Sequence, residues 1–556
     1  MKKILCTIAS GVLLLQPAGV VGSDAVVSNQ SDSIATMNIA VGENNVANTG
    51  SIKLKSIEGI VVNKTTGPTT NVAVGEGNKA SLGSINMTQS QGTVVNTSKE
   101  GMNLAVGKGN EASLGSVKMS NSTGTILNMN EGGTNIAVGQ DNKASQGSVA
   151  VDGIKEGVIN MSKGGVNAAI GDRNEANLGS VKNSDAVVNK SEAGINMAIG
   201  EGNKANLGTT ENSAESVNIS TGGTNLAVGS GNKANLGSVV GSGQAVNIST
   251  GGTNIAVGSG STANLGSTVN SKGTVNVSSG GLNVAADGSK ANLGSTINSK
   301  DTVNISSGGT NIATAGGKAN LGSVVNSSNS VNISSGGTNV AVGSTANLGS
   351  TVNSSDAVNI STGGTNIATG GGKANLGSVV NSSGVTNISG GGSNIAAGGT
   401  ANLGSVVNSS GVTNISGGGT NIAMGGTANL GSVVNSSGVT NISGGGTNIA
   451  AGGKANLGSV VNSSGVTNIS GGGVNVAGGG AAHLGSVVNS AGVTNISGGG
   501  VNVAGGGRAI LGSVVNSAGV TNISGGGVNI SGGGDAIMNS VVSGVEYDQF
   551  GRPKKP

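Results

Sequence analysis

A chain of 556 residues is long enough for several globular domains, but its composition argues against ordinary ones: 108 residues are Gly, Trp is missing, and Tyr547 and Phe550 are the only aromatics. Any interior must be closed with Ile, Val, Leu and Ala. With Lys2 and Lys3 set aside, 25 basic residues face 24 acidic ones, so no global field steers nucleic acid to the chain, and no basic stripe with interleaved aromatics is present to bind it.

Residues 1–23 read as a secretory signal peptide: Lys2 and Lys3 give the positive start, Ile8 to Leu15 belong to an apolar run, and Val21-Gly22-Ser23 offers a small-residue cleavage site. The expectation is a secreted or cell-surface protein that meets a membrane only during export. Cys6 lies inside this segment, so the mature chain has no cysteine and no disulfide can staple it. Residues 24–37 form a short lead-in.

From residue 38 onward the chain repeats itself. The triplet of Asn, an apolar residue and Ala (once Ser) recurs from Asn38 and Asn71 through Asn421 and Asn448 to Asn529, giving 18 units. Their spacing contracts from 32–33 residues early to 27 late. Residues 38–393 hold diverged, more charged units, and 394–540 hold near-identical Gly/Asn/Ser-rich ones. Residues 541–556 form a tail or cap carrying Tyr547 and Phe550.

One late unit shows the grammar. Asn421-Ile422-Ala423-Met424 is a short run, Ala428 to Asn435 a longer one, and Val439 to Ser443 a third, separated by Gly-rich breaks. Val, Ile and Thr favour strands, Gly supplies corner angles, and no run has helical period. A single unit cannot bury an apolar face, but stacked units cover one another. The predicted fold is therefore all-β: a β-solenoid of about 18 stacked units, one per rung, with three faces and a rise of about 4.8 Å per rung. Ile422, Leu430, Val434 and Ile442 are expected to point inward. Asn421, Asn429, Asn435, Asn441 and Asn448 are expected to form ladders of amides along the axis.

Two further patterns favour stacking. Proline is missing from Thr69 to Arg552, as a long strand ladder requires. One column also alternates in charge, through Lys79, Glu111, Lys143, Glu175 and Lys204, which suits neighbouring rungs.

The early units carry Asn71-Val-Ala-Val-Gly-Glu-Gly-Asn-Lys-Ala80, and Gly-x-Gly-Asn-x-Ala recurs at 107–112 and 200–205. This resembles the core motif of curli-type subunits, the functional amyloids of bacterial biofilms. The resemblance implies a solenoid that polymerises end to end outside the cell. The regularly spaced Gln of curli units is missing, and Leu-Gly-Ser follows the Ala. Asn196-Met-Ala-Ile-Gly200 is also similar to the head repeats of trimeric autotransporter adhesins.

Catalytic chemistry is not indicated. His483 is the sole histidine and stands in a column otherwise held by Asn429 and Asn456. No Cys/His metal cluster exists, regular Asp is missing from the Gly-rich turns, and no catalytic, cofactor or metal residues are assigned. The chain reads as a non-enzymatic structural protein of an extracellular fibril or matrix, self-associating through its strand edges. The alternative is a non-polymerising adhesin or stalk. A secretion or nucleation partner would engage the tail.

Overall fold

The computed structural model describes the backbone of residues 5–8, 13–14 and, with short gaps, 25–542, and the side chains of most residues from 49 to 532. Most of the expected leader, and the tail with Tyr547 and Phe550, lie outside the described residues. The described residues form strands, turns and bends and contain no helix. The chain divides into two compact units, Met1–Leu293 and Gly294–Pro556. Each is a parallel β-solenoid.

In the first unit Asn71 lies opposite Asn103, and Asn103 opposite Asn135. In the second, Asn394, Asn421 and Asn448 stand in one column. The sequence repeat is therefore the rung. Each unit contributes nine described strands to the sheet built on the Asn-apolar-Ala triplet and nine to the sheet that follows it. A third sheet takes two strands from most rungs, and a single long one, Val149–Lys163 or Val181–Glu192, from two of them.

A late rung consists of Thr420–Met424, Thr427–Leu430, Val433–Val434 and Thr440–Ser443. The run expected from Ala428 to Asn435 is thus broken in two. The cause is Gly431, whose φ of +53° is left-handed and whose missing Cβ makes room for Ser443. Early rungs are longer and absorb their extra residues in long strands such as Gln91–Lys99, or in bulges, as between Ala150 and Gly157.

The core is aliphatic. In the first unit it clusters Ile85, Met87, Val117 and Met119 with their neighbours. In the second it narrows to Val406, Val412, Val433 and Val439 and their equivalents. Smaller side chains fit the shorter rung.

The inward assignment holds for Leu430, which is fully buried. It fails for the other three. Ile422 and Val434 are half-buried on the outer side, and Ile442 is 39% exposed. Asn421, Ala423, Ala428, Val433, Val439 and Asn441 point inward instead. Alternation along a strand puts Asn441 and Ser443 on one face and Ile442 on the other, so a choice of face reverses every residue in the strand. Asn wins the interior because stacking supplies its amide with partners on both sides.

Candidate functional site

The chemistry-bearing groups of the interior are the asparagine columns. Asn421 Nδ2 donates to Ala401 O at 3.0 Å, to Asn429 O at 3.1 Å and to Asn448 Oδ1 on the next rung at 2.9 Å. Asn448 repeats the pattern toward Asn475. Asn441 Nδ2 donates to Gly431 O at 2.5 Å and to Asn468 Oδ1 at 2.6 Å. The third column runs the other way: Asn429 Nδ2 donates backward to Asn402 Oδ1 at 2.9 Å. The first unit carries the same device, with Asn71, Asn103 and Asn135 each donating forward at 2.8–3.1 Å. An amide taken from water without partners is costly, and the ladder removes that cost at every rung it spans.

Asn435 departs from the expected set. It is exposed, with φ +50°, and its side chain stands on a turn outside the core. Asn tolerates this left-handed conformation better than most residues. The structure therefore joins Asn421, Asn429, Asn441 and Asn448 into ladders and leaves Asn435 out.

Serines that sequence reasoning passed over complete the interior. Ser432 Oγ donates to Leu430 O at 3.1 Å or to Asn456 O at 2.8 Å, tying one rung to the next. The signal was present in the recurring Leu-Gly-Ser, where Gly makes the corner and Ser bonds across it.

In the first unit the alternating column is in register: Lys79 faces Glu111, Glu111 faces Lys143, Lys143 faces Glu175, and Glu175 faces Lys204. Lys79 and Glu111 pair at 3.3 Å. These residues line a groove of about 510 Å³ together with Lys182 and Glu211, which come from the adjoining sheet. Lys182 pairs with Glu175 and, at 3.3 Å, with Glu211, which also meets Lys204 at 3.5 Å. Burial works to raise the Glu111 and Glu211 carboxyls, but the lysines around them outweigh it and hold both below the usual carboxylate range. Burial pulls Lys182 down against the pull of Glu211. The groove sets six lysines against three glutamates, and its ion pairs tie Lys79, Lys182 and Lys204 to those carboxylates.

His483 occupies the Asn429 column, opposite Asn456 on one side and Ile510 on the other. Burial, and then the nearby Lys454, lower its pKa to about 4, so it is neutral at pH 7. The backward ladder reaches Asn456 and stops there.

No family model, no curated protein and no solved structure matches this chain. The curli-type and adhesin-head resemblances rest on the repeat motif.

What the arrangement offers is directional stacking. Looking toward higher residue numbers, a late rung presents amide donors from the Asn421 and Asn441 columns and an acceptor from the Asn429 column. Its opposite side presents the reverse.

Proposed function

We propose that the chain is a secreted structural protein that builds an extracellular fibril or biofilm matrix by head-to-tail stacking of solenoid ends. The observation that carries this reading is the polarity of the amide ladders. The Asn421 and Asn441 columns donate toward higher residue numbers and accept from lower ones, so a rung complements another copy head to tail and opposes it head to head. Heterologous contacts of this kind generate open filaments when the rotation does not close. The parallel backbone ladder has the same polarity.

Two sequence features support it. Between Asn394 and Gly534, Lys454 and Arg508 are the only formally charged residues, so few gatekeepers oppose edge pairing. The rungs there are nearly identical, so each is a template for the next. The more charged early rungs restrain premature assembly, and the tail with Tyr547 and Phe550 caps the stack or engages a nucleation partner. The leader-like segment and the curli-type motif supply the extracellular setting.

The test is electron microscopy and fibre diffraction of the chain from Asp24 after incubation at neutral pH. Long unbranched fibrils with a meridional spacing near 4.7–4.8 Å are the expected outcome. Discrete particles that never elongate would overturn polymerisation and leave the adhesin or stalk.

A further inference from the structure

Along the second unit, the turns that follow Val407, Val434 and Val461 line up into a trench of about 1520 Å³, which runs from the rung of Asn298 to that of Ala491. Each of these three rungs presents the same exposed pair, Asn408 with Ser410, Asn435 with Ser437, and Asn462 with Ser464. The asparagines have φ of 50–51°. We propose that this trench binds an extended, uncharged polysaccharide chain lying parallel to the solenoid axis.

The shape of the trench selects the form of the ligand. A furrow that repeats with every rung, about 4.8 Å apart, is matched by a linear polymer with a short repeat and offers no closed end to a small molecule. Its chemistry selects the class. Each of these three rungs turns one amide and one hydroxyl outward, both able to donate and to accept. Lys300 stands near one end, and between Asp356 and Lys454 the only formal charge in the sequence is Lys373, which does not line the trench. A polyhydroxylated neutral chain meets such a surface without leaving a charge unpaired. Nucleic acid would lack cations for its phosphates.

The trench groups are also uncommitted, which sets them apart from the buried asparagines. At the N-terminal end Asn326 donates to Asn298 at 3.2 Å. Farther along, the side-chain amides of Asn408, Asn435 and Asn462 have no hydrogen-bond partner among the described residues. The backbone N–H groups beneath them are engaged. Ser437 N donates to Ser409 O at 3.0 Å, Asn435 N to Val461 O at 3.0 Å, and Gly438 N to Ser464 O at 3.0 Å. With those donors spent between rungs, an added peptide strand finds no run of N–H groups to pair with. What remains for a ligand is a file of side-chain amides and hydroxyls.

Each rung makes a weak contact, because no aromatic ring is present to stack on a sugar. Affinity must then come from many rungs acting on one chain, and it should rise with chain length. This inference does not rest on fibril formation: an isolated solenoid and a stacked one expose the same trench.

The experiment tethers the full chain to an optical sensor and passes over it soluble mixed-linkage β-glucan, galactomannan and dextran, with alginate as the acidic counterpart. At least one neutral polymer is expected to bind, with short oligosaccharides of the same linkage at least tenfold weaker and alginate not binding. The variant Asn408→Gly, Asn435→Gly, Asn462→Gly with Ser410→Ala, Ser437→Ala, Ser464→Ala should lose at least tenfold in affinity. Gly accepts the left-handed backbone, and Ala491 already stands in the serine column opposite Ser464. Should that variant fail to fold, the serine-only triple variant carries the test with a smaller loss. Absence of binding by every neutral polymer, equal binding of alginate, or unchanged affinity in a folded variant would each overturn the proposal.

Discussion

Asn441 donates to Gly431 O and Asn468 Oδ1 and accepts from Asn414, all within the core. Replacing it with Ala strands buried partners on both neighbouring rungs. The expected cost is about 3 kcal/mol, since an orphaned buried polar group costs roughly 1–3 kcal/mol. Ile442 beside it is exposed and packs only along its own column, so Ile442→Thr should cost under about 0.5 kcal/mol. Thermal or denaturant melts of the two variants check this, and a larger loss for Ile442→Thr would contradict the assigned facing. His483 gives the residue scale a pH dependence. Its folded pKa, about 4, lies below the ordinary histidine value of 6.5. The unfolded chain therefore takes up a proton first as pH falls. The native state has its full stability above pH 6.5 and loses it between 6.5 and 4, by at most about 1.4 kcal/mol per pH unit. Asn456 Oδ1, next in the column, is buried without a partner. His483→Asn should supply the missing donor, raise stability by about 1 kcal/mol and flatten melting temperature across that window. An unchanged pH profile in the variant would show that His483 is not the titrating group.

At the scale of the element, the rung is the unit of exchange. Deleting 421–447 joins Thr420 to Asn448 and brings Asn448 opposite Asn394, where Asn421 had been. Every column is restored, so the protein should keep a cooperative melt and lose only one rung's interfaces. Deleting 421–446 leaves one residue over. That residue must bulge out or turn Asn and Ala to the solvent side of the strand. Circular dichroism melts of the two deletions should separate them clearly, with the shorter deletion the less stable. Gly431 fixes where the rung turns: it is left-handed, and any Cβ there would run into Ser443, so the corner between Leu430 and Val433 cannot move along the chain. The same corner recurs at Gly404 and Gly458 against Ser416 and Ser470.

For the whole molecule, directional ladders predict directional growth. If ends stack as proposed, fibrils followed by time-lapse microscopy should elongate at unequal rates at their two ends, since the ends present different donors and acceptors. Much of this was legible in the sequence. The period of the Asn triplet set the rung, the Gly-rich breaks and strand-forming runs set an all-β solenoid, and the spacing of Lys79, Glu111, Lys143 and Glu175 placed opposite charges on successive rungs. These are local or periodic properties, and parallel stacking carries a period directly into space. The facing of each strand was not legible, because hydropathy favours burying Ile442 over Asn441. Only the stacked neighbours, which give each amide a donor and an acceptor, reverse that preference. The pairing of Lys182 and Glu211 with the charge column, the break at Gly431 and the placement of Asn435 on an open trench likewise depend on how one sheet turns into the next. Sequence determined what repeats; tertiary structure decided which side of each strand meets the core, because that choice depends on partners a rung apart along the axis.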